Sequence, residues 1–522
     1  LKTINSKYVI LLPALLFAAV ILLPLLSLLV TSVFADGKLT IENFSSIFQT
    51  TTLKSIGNSL IIAAWVGFVS VAFGYGFAFL FTKTNLPFKN TLRFLLLLPL
   101  LLPPYMITVA WTDVWLFAGF PKTFIYSLPS VVFILTTIYI PLATFIISGS
   151  LQNITASIEE AGEMMTSYKT VFLRIILPLI RPALFSSFIL IFILSVSEFA
   201  VPSYLSVNVF TTEIFTQFAA FYNFSAAIAH ALVLTGICLL LIIPEKFYLS
   251  QAPFISFGKK SSSYKILLLE NKSKWTLICL AYILLFVLLP LSMLVWQSVS
   301  DNSISFWSII EQLLPSLTDS LLLASSGALL ITLLGFAFST LIIKYNIKTA
   351  DFLLLLVFAV PALVTGIALA KFYNTPSLNL IYGSSLIILI AFTARFLFIS
   401  EKIIASSMMQ IPASFQEAAL LMGASPLYVF RKITLPLLFE ALFTSFFIIL
   451  IFCIGELTTV IMVYPPGISL LPVRIFTLMA NAPQSAVSAM CLVALLFTLS
   501  LIALMMGGHK ILINQQWKRN QS

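Results

Sequence analysis

Charge is scarce in this chain. Only 9% of its 522 residues are Asp, Glu, Lys or Arg, against roughly 25% in soluble domains, while 60% are hydrophobic and the mean hydropathy is +1.09. That balance excludes a water-soluble globular fold and places the chain in a bilayer. Histidine is limited to His230 and His509, and cysteine to Cys238, Cys279, Cys453 and Cys491. None of these has metal-ligand spacing. No metal site is expected, and the cysteines read as small packing residues. His230 lies in an apolar run, where it is either a packed, hydrogen-bonded side chain or part of a path. A Gly-x-x-x-x-Gly-Lys-Ser/Thr loop is also lacking, since Gly258-Lys259-Lys260-Ser261 has no upstream glycine. The chain is therefore not expected to be an enzyme, to hydrolyse ATP itself or to carry a cofactor. Alternating strands of about ten residues, the mark of a membrane barrel, are missing too.

Long apolar runs are what the chain has instead. Each stretch of about 20 such residues can cross roughly 30 Å of hydrocarbon as a helix. Twelve are expected, near 8–34, 57–82, 94–116, 125–150, 179–205, 224–247, 275–298, 318–344, 351–373, 380–404, 437–463 and 484–506. The first is expected to be a retained helix rather than a cleaved leader. With the N-terminus in the cytoplasm, most of the 28 Lys and Arg residues fall inside. Lys38, Lys54, Lys122, Lys371 and Arg474 fall outside, and Arg395 lies in the tenth run. This is the positive-inside bias, and it predicts two cytoplasmic termini. The net charge of +10 thus reports topology and calls for no nucleic-acid partner. Lys259, Lys260, Lys265, Lys272 and Lys274 mark a solvated linker.

The chain also repeats itself. Pro24 answers Pro290, Asn58-Ser-Leu answers Asp319-Ser-Leu, Gly74 answers Gly335, and Pro103 answers Pro361. The expected organisation is a first six-span half over 1–250, a cytoplasmic linker over 251–274 and a second six-span half over 275–522. Six is even, so both halves have one orientation and their symmetry axis runs along the membrane normal. A solute path would follow that axis.

The sharpest repeat is polar. Ser157-Ile-Glu-Glu160-Ala161-Gly162-Glu-Met-Met165 leads to Leu177-Pro178, and Ser414-Phe-Gln-Glu417-Ala418-Ala419-Leu-Leu-Met-Gly423 leads to Leu435-Pro436. Each falls between the fourth and fifth spans of its half, on the cytoplasmic side. Ser157 with Glu160, and Ser414 with Glu417, have the spacing of a capping box. Each box should open a helix of about two turns, ~12 Å long, near 157–166 and 414–423. Gly423 should close the second in a left-handed conformation. Ala418, Ala419 and Gly423 keep part of that helix low enough for another protein to close over it.

The second island, Glu417-Ala-Ala-Leu-Leu-Met-Gly-Ala-Ser-Pro through Thr434-Leu-Pro436, resembles the EAA loop of binding-protein-dependent ABC importer permeases. The resemblance implies an all-α membrane protein of two tandem six-helix permease bundles. It also implies that each loop is a coupling helix docking on one of two separate ATP-binding subunits, expected as a homodimer. A periplasmic or lipid-anchored binding protein would deliver substrate to a bacterial cytoplasmic (inner) membrane. The first copy departs from the pattern: Gly162 replaces the second alanine, Thr166 stands where the glycine should be, and the run to Pro178 is one residue shorter. Its docking is expected to be looser or differently angled.

Glu198 and Glu456 occupy equivalent places in the fifth and eleventh runs. A carboxylate there is costly, by roughly 2.5–3.5 kcal/mol on insertion scales. Either it lines the translocation path or it is bonded to a neighbouring helix. Their surroundings, Glu198-Phe-Ala-Val-Pro-Ser-Tyr-Leu, Glu456-Leu-Thr-Thr, Tyr464-Pro-Pro-Gly and Leu471-Pro-Val-Arg-Ile-Phe-Thr-Leu-Met, resemble fused permeases for ferric iron. Near relatives of that branch serve thiamine, polyamines and phosphonates. The outer segments 206–223 and 464–483 are the matched candidates for receiving a binding protein, with Arg474 free to meet an acidic patch or to form a structural ion pair. The rival class, a proton-coupled secondary carrier, lacks its Gly- and Arg-rich loop here, since Lys83-Thr-Asn-Leu-Pro-Phe-Lys-Asn-Thr-Leu-Arg93 does not match. A scaffold without transport is a third class, distinguished by having no solute dependence.

Overall fold

With no water to bond the backbone, an apolar run satisfies its own amides best as a helix. The computed structural model describes residues 13–35, 38–39, 42–244, 265–300 and 306–519. Sixteen helices carry the argument. In the first part of the chain they are α1 (Pro13–Ser32), α2 (Thr50–Lys83), α3 (Lys89–Leu101), α4 (Pro104–Phe117), α5 (Leu128–Gln152), α6 (Ala156–Glu163), α7 (Leu177–Val196) and α8 (Phe224–Pro244). Then follow α9 (Lys272–Val299), α10 (Phe306–Ile343), α11 (Lys348–Ala359), α12 (Ala362–Tyr373), α13 (Leu386–Met408), α14 (Ala413–Leu421), α15 (Leu435–Gly455) and α16 (Gln484–Arg519). Extended pairing among the described residues is confined to Phe34–Ala35 with Lys38–Leu39 and one bridge, Thr84 to Leu267.

Among the described residues nine helical stretches are long and apolar enough to cross a membrane, and two bent pairs raise the number to eleven. The expected runs 94–116 and 351–373 are those bent pairs, not straight spans. α3 meets α4 at 102° and α11 meets α12 at 98°. Pro103 and Pro361 cause both breaks: each forces the residue before it, Leu102 or Val360, into extended backbone, which stops the helix. The tenth expected run, 380–404, corresponds to α13. It is 23 residues long and largely apolar, but with Arg395, Glu401 and Lys402 it carries too many charges to count with the others by composition. Length and composition thus support nine to eleven spans among the described residues, the expected twelve is not confirmed, and α13 packs on α10 as α5 packs on α2.

Four Leu-Pro pairs share one device. Pro24, Pro178, Pro290 and Pro436 are each preceded by a π-helical turn, at Ala18–Leu22, Phe172–Ile176, Leu284–Leu288 and Phe430–Thr434. Proline has no amide to give to the carbonyl four residues back, and its ring crowds that carbonyl. A wider turn relieves the clash.

The core is built on two sets of three helices. α2 packs on α5 and α7, and α10 packs on α13 and α15. The glycines matched in sequence sit at matched crossings. A Cβ on Gly74 would come 2.5 Å from the Cβ of Ala143, and one on Gly335 would collide with the Ser400 hydroxyl. The helix that precedes each set, α1 or α9, crosses to helices around the other. α1 packs on α12, with the Tyr373 hydroxyl donating to the Val20 carbonyl at 2.9 Å. α9 packs on α4, where Phe286 meets Trp111. Simple side-by-side bundles would have no such exchange. Outward-facing Trp65, Phe68, Leu322 and Leu329 are exposed, as befits surface that lipid covers. His230 is buried and its Nε2 lies 3.1 Å from the Ser46 hydroxyl, and the four cysteines are free and buried.

Candidate functional site

The two polar islands fold as helices, but not with the expected caps. α6 starts after Thr155 and α14 after Pro412, and neither cap residue's side chain accepts an amide. Ser157 and Ser414 thus fall inside the first turn, and the capping boxes predicted from Ser157/Glu160 and Ser414/Glu417 do not form. Each helix begins two residues earlier than the boxes require. The Ser157 hydroxyl bonds the Thr155 hydroxyl at 3.1 Å instead. Glu160, Glu417, Ala161 and Ala418 are exposed.

The helix ends differ for a reason visible in the residues. Gly423 has φ of +85°, the left-handed value. Its amide donates to the Leu420 carbonyl and that of Ala424 to the Ala419 carbonyl, both at 3.0 Å, which is a complete Schellman end. α6 has Thr166 at the matching place and no left-handed residue; the amides of Met165 and Thr166 both turn to the Gly162 carbonyl. Gly162 serves packing: a Cβ there would stand 3.0 Å from Ile175 and Val171. Beyond each helix a pair of large apolar side chains stands in the open, Met164 and Met165 after α6 and Leu421 and Met422 at the end of α14, each 88–90% exposed. Exposed apolar patches of this kind mark protein contacts.

Sequence reasoning missed what holds α6 in place. Glu159 and Lys83 are both fully buried and form an ion pair between α6 and the last residue of α2. Glu163 pairs with Lys265 of the linker. Leu267 then lies along Lys83–Asn85, its amide donating to the Lys83 carbonyl at 2.7 Å and its carbonyl accepting from Asn85. The signal was present: Gln416 stands where the first island has Glu159, and an uncharged amide cannot form an ion pair with Lys344, the counterpart of Lys83. Lys259 and Lys260 of the expected linker lie outside the described residues.

Glu198 and Glu456 lie at helix breaks rather than within continuous helices. Glu198 follows α7 and accepts the Ala200 amide at 2.9 Å; Glu456 ends α15 and accepts the Thr459 amide at 2.8 Å. Each carboxylate thereby holds the next turn, and each stays partly exposed. Glu198 lies within electrostatic range of Glu456 and of Arg395, and Tyr139 within range of Glu198 and Arg395. The helix breaks belong to the same neighbourhood. A Cβ on Gly455 would stand 3.0 Å from Pro103, and the Thr459 hydroxyl donates to the Ala362 carbonyl at 3.2 Å. Carboxylates, one guanidinium and two proline breaks thus converge where the two helix sets meet.

On the other side of these carboxylates lie two short helices, Phe210–Phe215 and Leu471–Met479. The repeated Asn58-Ser and Asp319-Ser motifs anchor them. The Ser59 hydroxyl accepts the Phe210 amide at 2.8 Å, and the Ser320 hydroxyl accepts the Leu471 amide at 2.7 Å. Phe199 is buried between Phe215 and Phe476, with ring centroids 4.8 and 6.0 Å away. Arg474 makes no ion pair among the described residues. Asp113 of α4, also missed, accepts from Gln484 at 2.6 Å and Ser488 at 2.7 Å of α16, tying the two sets together.

Residues 70–245, which contain α6 and Glu198, match the family described as binding-protein-dependent transport system inner membrane component. The chain is 23% identical over 460 residues to the Fe(3+)-transport system permease protein FbpB 2 of Haemophilus influenzae, covering 87% of this chain and 89% of that one. It is 26% identical over 437 residues to the ferric transport system permease protein FbpB of Actinobacillus pleuropneumoniae, covering 75% of this chain and 62% of that relative. A Salmonella typhimurium protein named for 2-aminoethylphosphonate transport, PhnV, is 26% identical over 236 residues, which are 88% of its length and 42% of this chain. Such permeases are multi-pass inner membrane proteins that work with ATP-binding and substrate-binding proteins. The chain is a transport permease, the membrane component of a binding-protein-dependent ABC importer.

Proposed function

We propose that this permease carries ferric iron along the interface between its two helix sets, past Glu198 and Glu456. Two tandem halves, 1–250 and 275–522, joined by the linker 251–274, would rock against each other about that interface. Both termini would lie in the cytoplasm. The observation that carries the reading is the convergence of two carboxylates, in equivalent places, at two proline-broken helix pairs. Anionic side chains there suit a cation and oppose an anion such as a phosphonate. Arg395 holds the pair in balance while the path is empty.

Two ATP-binding subunits, a homodimer, would dock on α6 and α14. Ser157, Glu160, Ala161 and Gly162 present the first surface, and Ser414, Glu417, Ala418, Ala419 and Gly423 the second. Met164, Met165, Leu421 and Met422 supply the apolar contact that such docking buries. Closure of the ATPases would draw the helices together and part Phe199 from Phe476, opening the path outward to a binding protein seated on 206–223 and 464–483. ATP hydrolysis belongs to those separate subunits. The test is uptake of radiolabelled iron into vesicles holding the complex, with its binding protein and ATP inside. Iron uptake that unlabelled phosphonate does not compete away supports the reading. Phosphonate uptake without iron uptake would overturn the substrate while leaving the coupling scheme in place.

A further inference from the structure

At its cytoplasmic end α2 leaves an apolar cleft of about 480 Å³. Tyr75, Gly76 and Phe79 of α2 line one wall and Tyr168 and Phe172, just after α6, another. Leu269 of the linker and Trp275 of α9 complete it, and Lys169 is its one charged lining residue. Its depth follows from helix geometry. Tyr75 and Phe79 precede the end of α2 by about 12 and 6 Å at 1.5 Å per residue. Trp275 lies in the first turn of α9, where an indole suits the headgroup level. The cleft therefore runs from the cytoplasmic interface into the inner-leaflet hydrocarbon, outside the translocation path.

Water in so apolar a cleft is unfavourable, and an acyl chain matches both its depth and its lining. The rim selects the headgroup. Lys169, Lys272 and Lys274 are exposed there, against one exposed carboxylate, Glu270, and Lys169 makes no ion pair among the described residues. The Tyr75 and Tyr168 hydroxyls are buried without a hydrogen-bond partner among the described residues. We propose that the cleft binds one anionic phospholipid of the cytoplasmic leaflet. Its chain lies against Tyr75, Phe79 and Phe172, and its phosphate sits at Lys169. Because the cleft touches Tyr168, Leu269 and Trp275 together, the lipid fastens the first coupling segment to the linker and to α9.

Native mass spectrometry of the full chain, released from phosphatidylcholine nanodiscs with or without phosphatidylglycerol, tests this. The wild type should retain one phosphatidylglycerol under conditions that strip phosphatidylcholine. Gly76→Phe should abolish that retention: a Cβ at Gly76 meets nothing within 4 Å, so the ring fills the cleft without displacing backbone. Lys169→Gln should weaken phosphatidylglycerol binding about fivefold, the worth of one surface lysine near an anionic lipid, with phosphatidylcholine unaffected. Thermal unfolding of each variant checks that it folds, and Lys169→Gln decides alone if Gly76→Phe does not. Equal retention of the two lipids, no retained lipid in the wild type, or unchanged phosphatidylglycerol binding in a folded variant would overturn the proposal.

Discussion

Replacing Lys83 with methionine should detach α6 from the rest of the protein. Both members of the Lys83–Glu159 pair are fully buried, and the second carboxylate oxygen of Glu159 has no partner among the described residues. Methionine keeps the length of the stem but strands the carboxylate. Breaking one side of a buried pair costs about 3–5 kcal/mol, because an uncompensated charge remains inside. The carboxylate avoids that cost by leaving for water, taking the first turn of α6 with it, or by staying inside protonated, which exchange measured at pH 8 disfavours. An eight-residue helix has no stability of its own. An opening made easier by that energy is populated about two to three and a half orders of magnitude more. Hydrogen–deuterium exchange over 156–163 should report this, with exchange over 413–421 unchanged. The companion variant Lys83→Met/Glu159→Met removes both charges and should recover most of the protection, since two apolar side chains can replace a buried pair. Wild-type exchange in Lys83→Met, or no recovery in the companion, would refute the reasoning.

Other perturbations separate packing, coupling and transport. Gly335→Val should lower the unfolding temperature, because overpacking at the α10–α13 crossing costs about 1–3 kcal/mol; an unchanged melt would show that the crossing yields. Gly423→Leu meets no neighbour but forces a left-handed backbone, at about 1–2 kcal/mol. ATP turnover should then persist while uptake falls, with the fold intact, and normal uptake would count against α14 as a docking helix. Glu456→Gln keeps an acceptor for the Thr459 amide but loses the charge, about 1 kcal/mol of a charge-assisted bond. Uptake should change about fivefold with ATPase binding unaltered, and unchanged kinetics would assign Glu456 a purely structural role.

The reach of the sequence can be judged residue by residue. Apolar runs reveal helices because each must satisfy its backbone within itself, and the islands stand out because polar residues are rare around them. Gly423 was legible since few residues other than glycine end a helix at positive φ. Pro103 and Pro361 were noticed as a repeat, yet not as bends of about a right angle. Proline says that a helix stops, not where the chain goes next. The capping boxes failed because spacing alone does not choose between Ser157 and Thr155 as the first residue outside the helix. α13 is long enough to span, but Arg395, Glu401 and Lys402 keep composition alone from confirming that it does. The crossing of α1 to α12 and of α9 to α4 left no local mark, being tertiary contact between distant segments. Lys83 and Glu159 are 76 positions apart, and only their burial makes them a pair. Asn58-Ser and Asp319-Ser were visible as repeats, and their purpose emerged when the helices they cap came beside them.

The central claim is that the path is opened by an ATP-driven partner acting through α6 and α14. The most direct measurement is solute uptake by the purified chain in sealed vesicles, with and without its ATP-binding subunits, under an imposed ion gradient or with internal ATP. Uptake only when the subunits and ATP are both present is the predicted result. Accumulation by the permease alone, driven by the gradient, would contradict it.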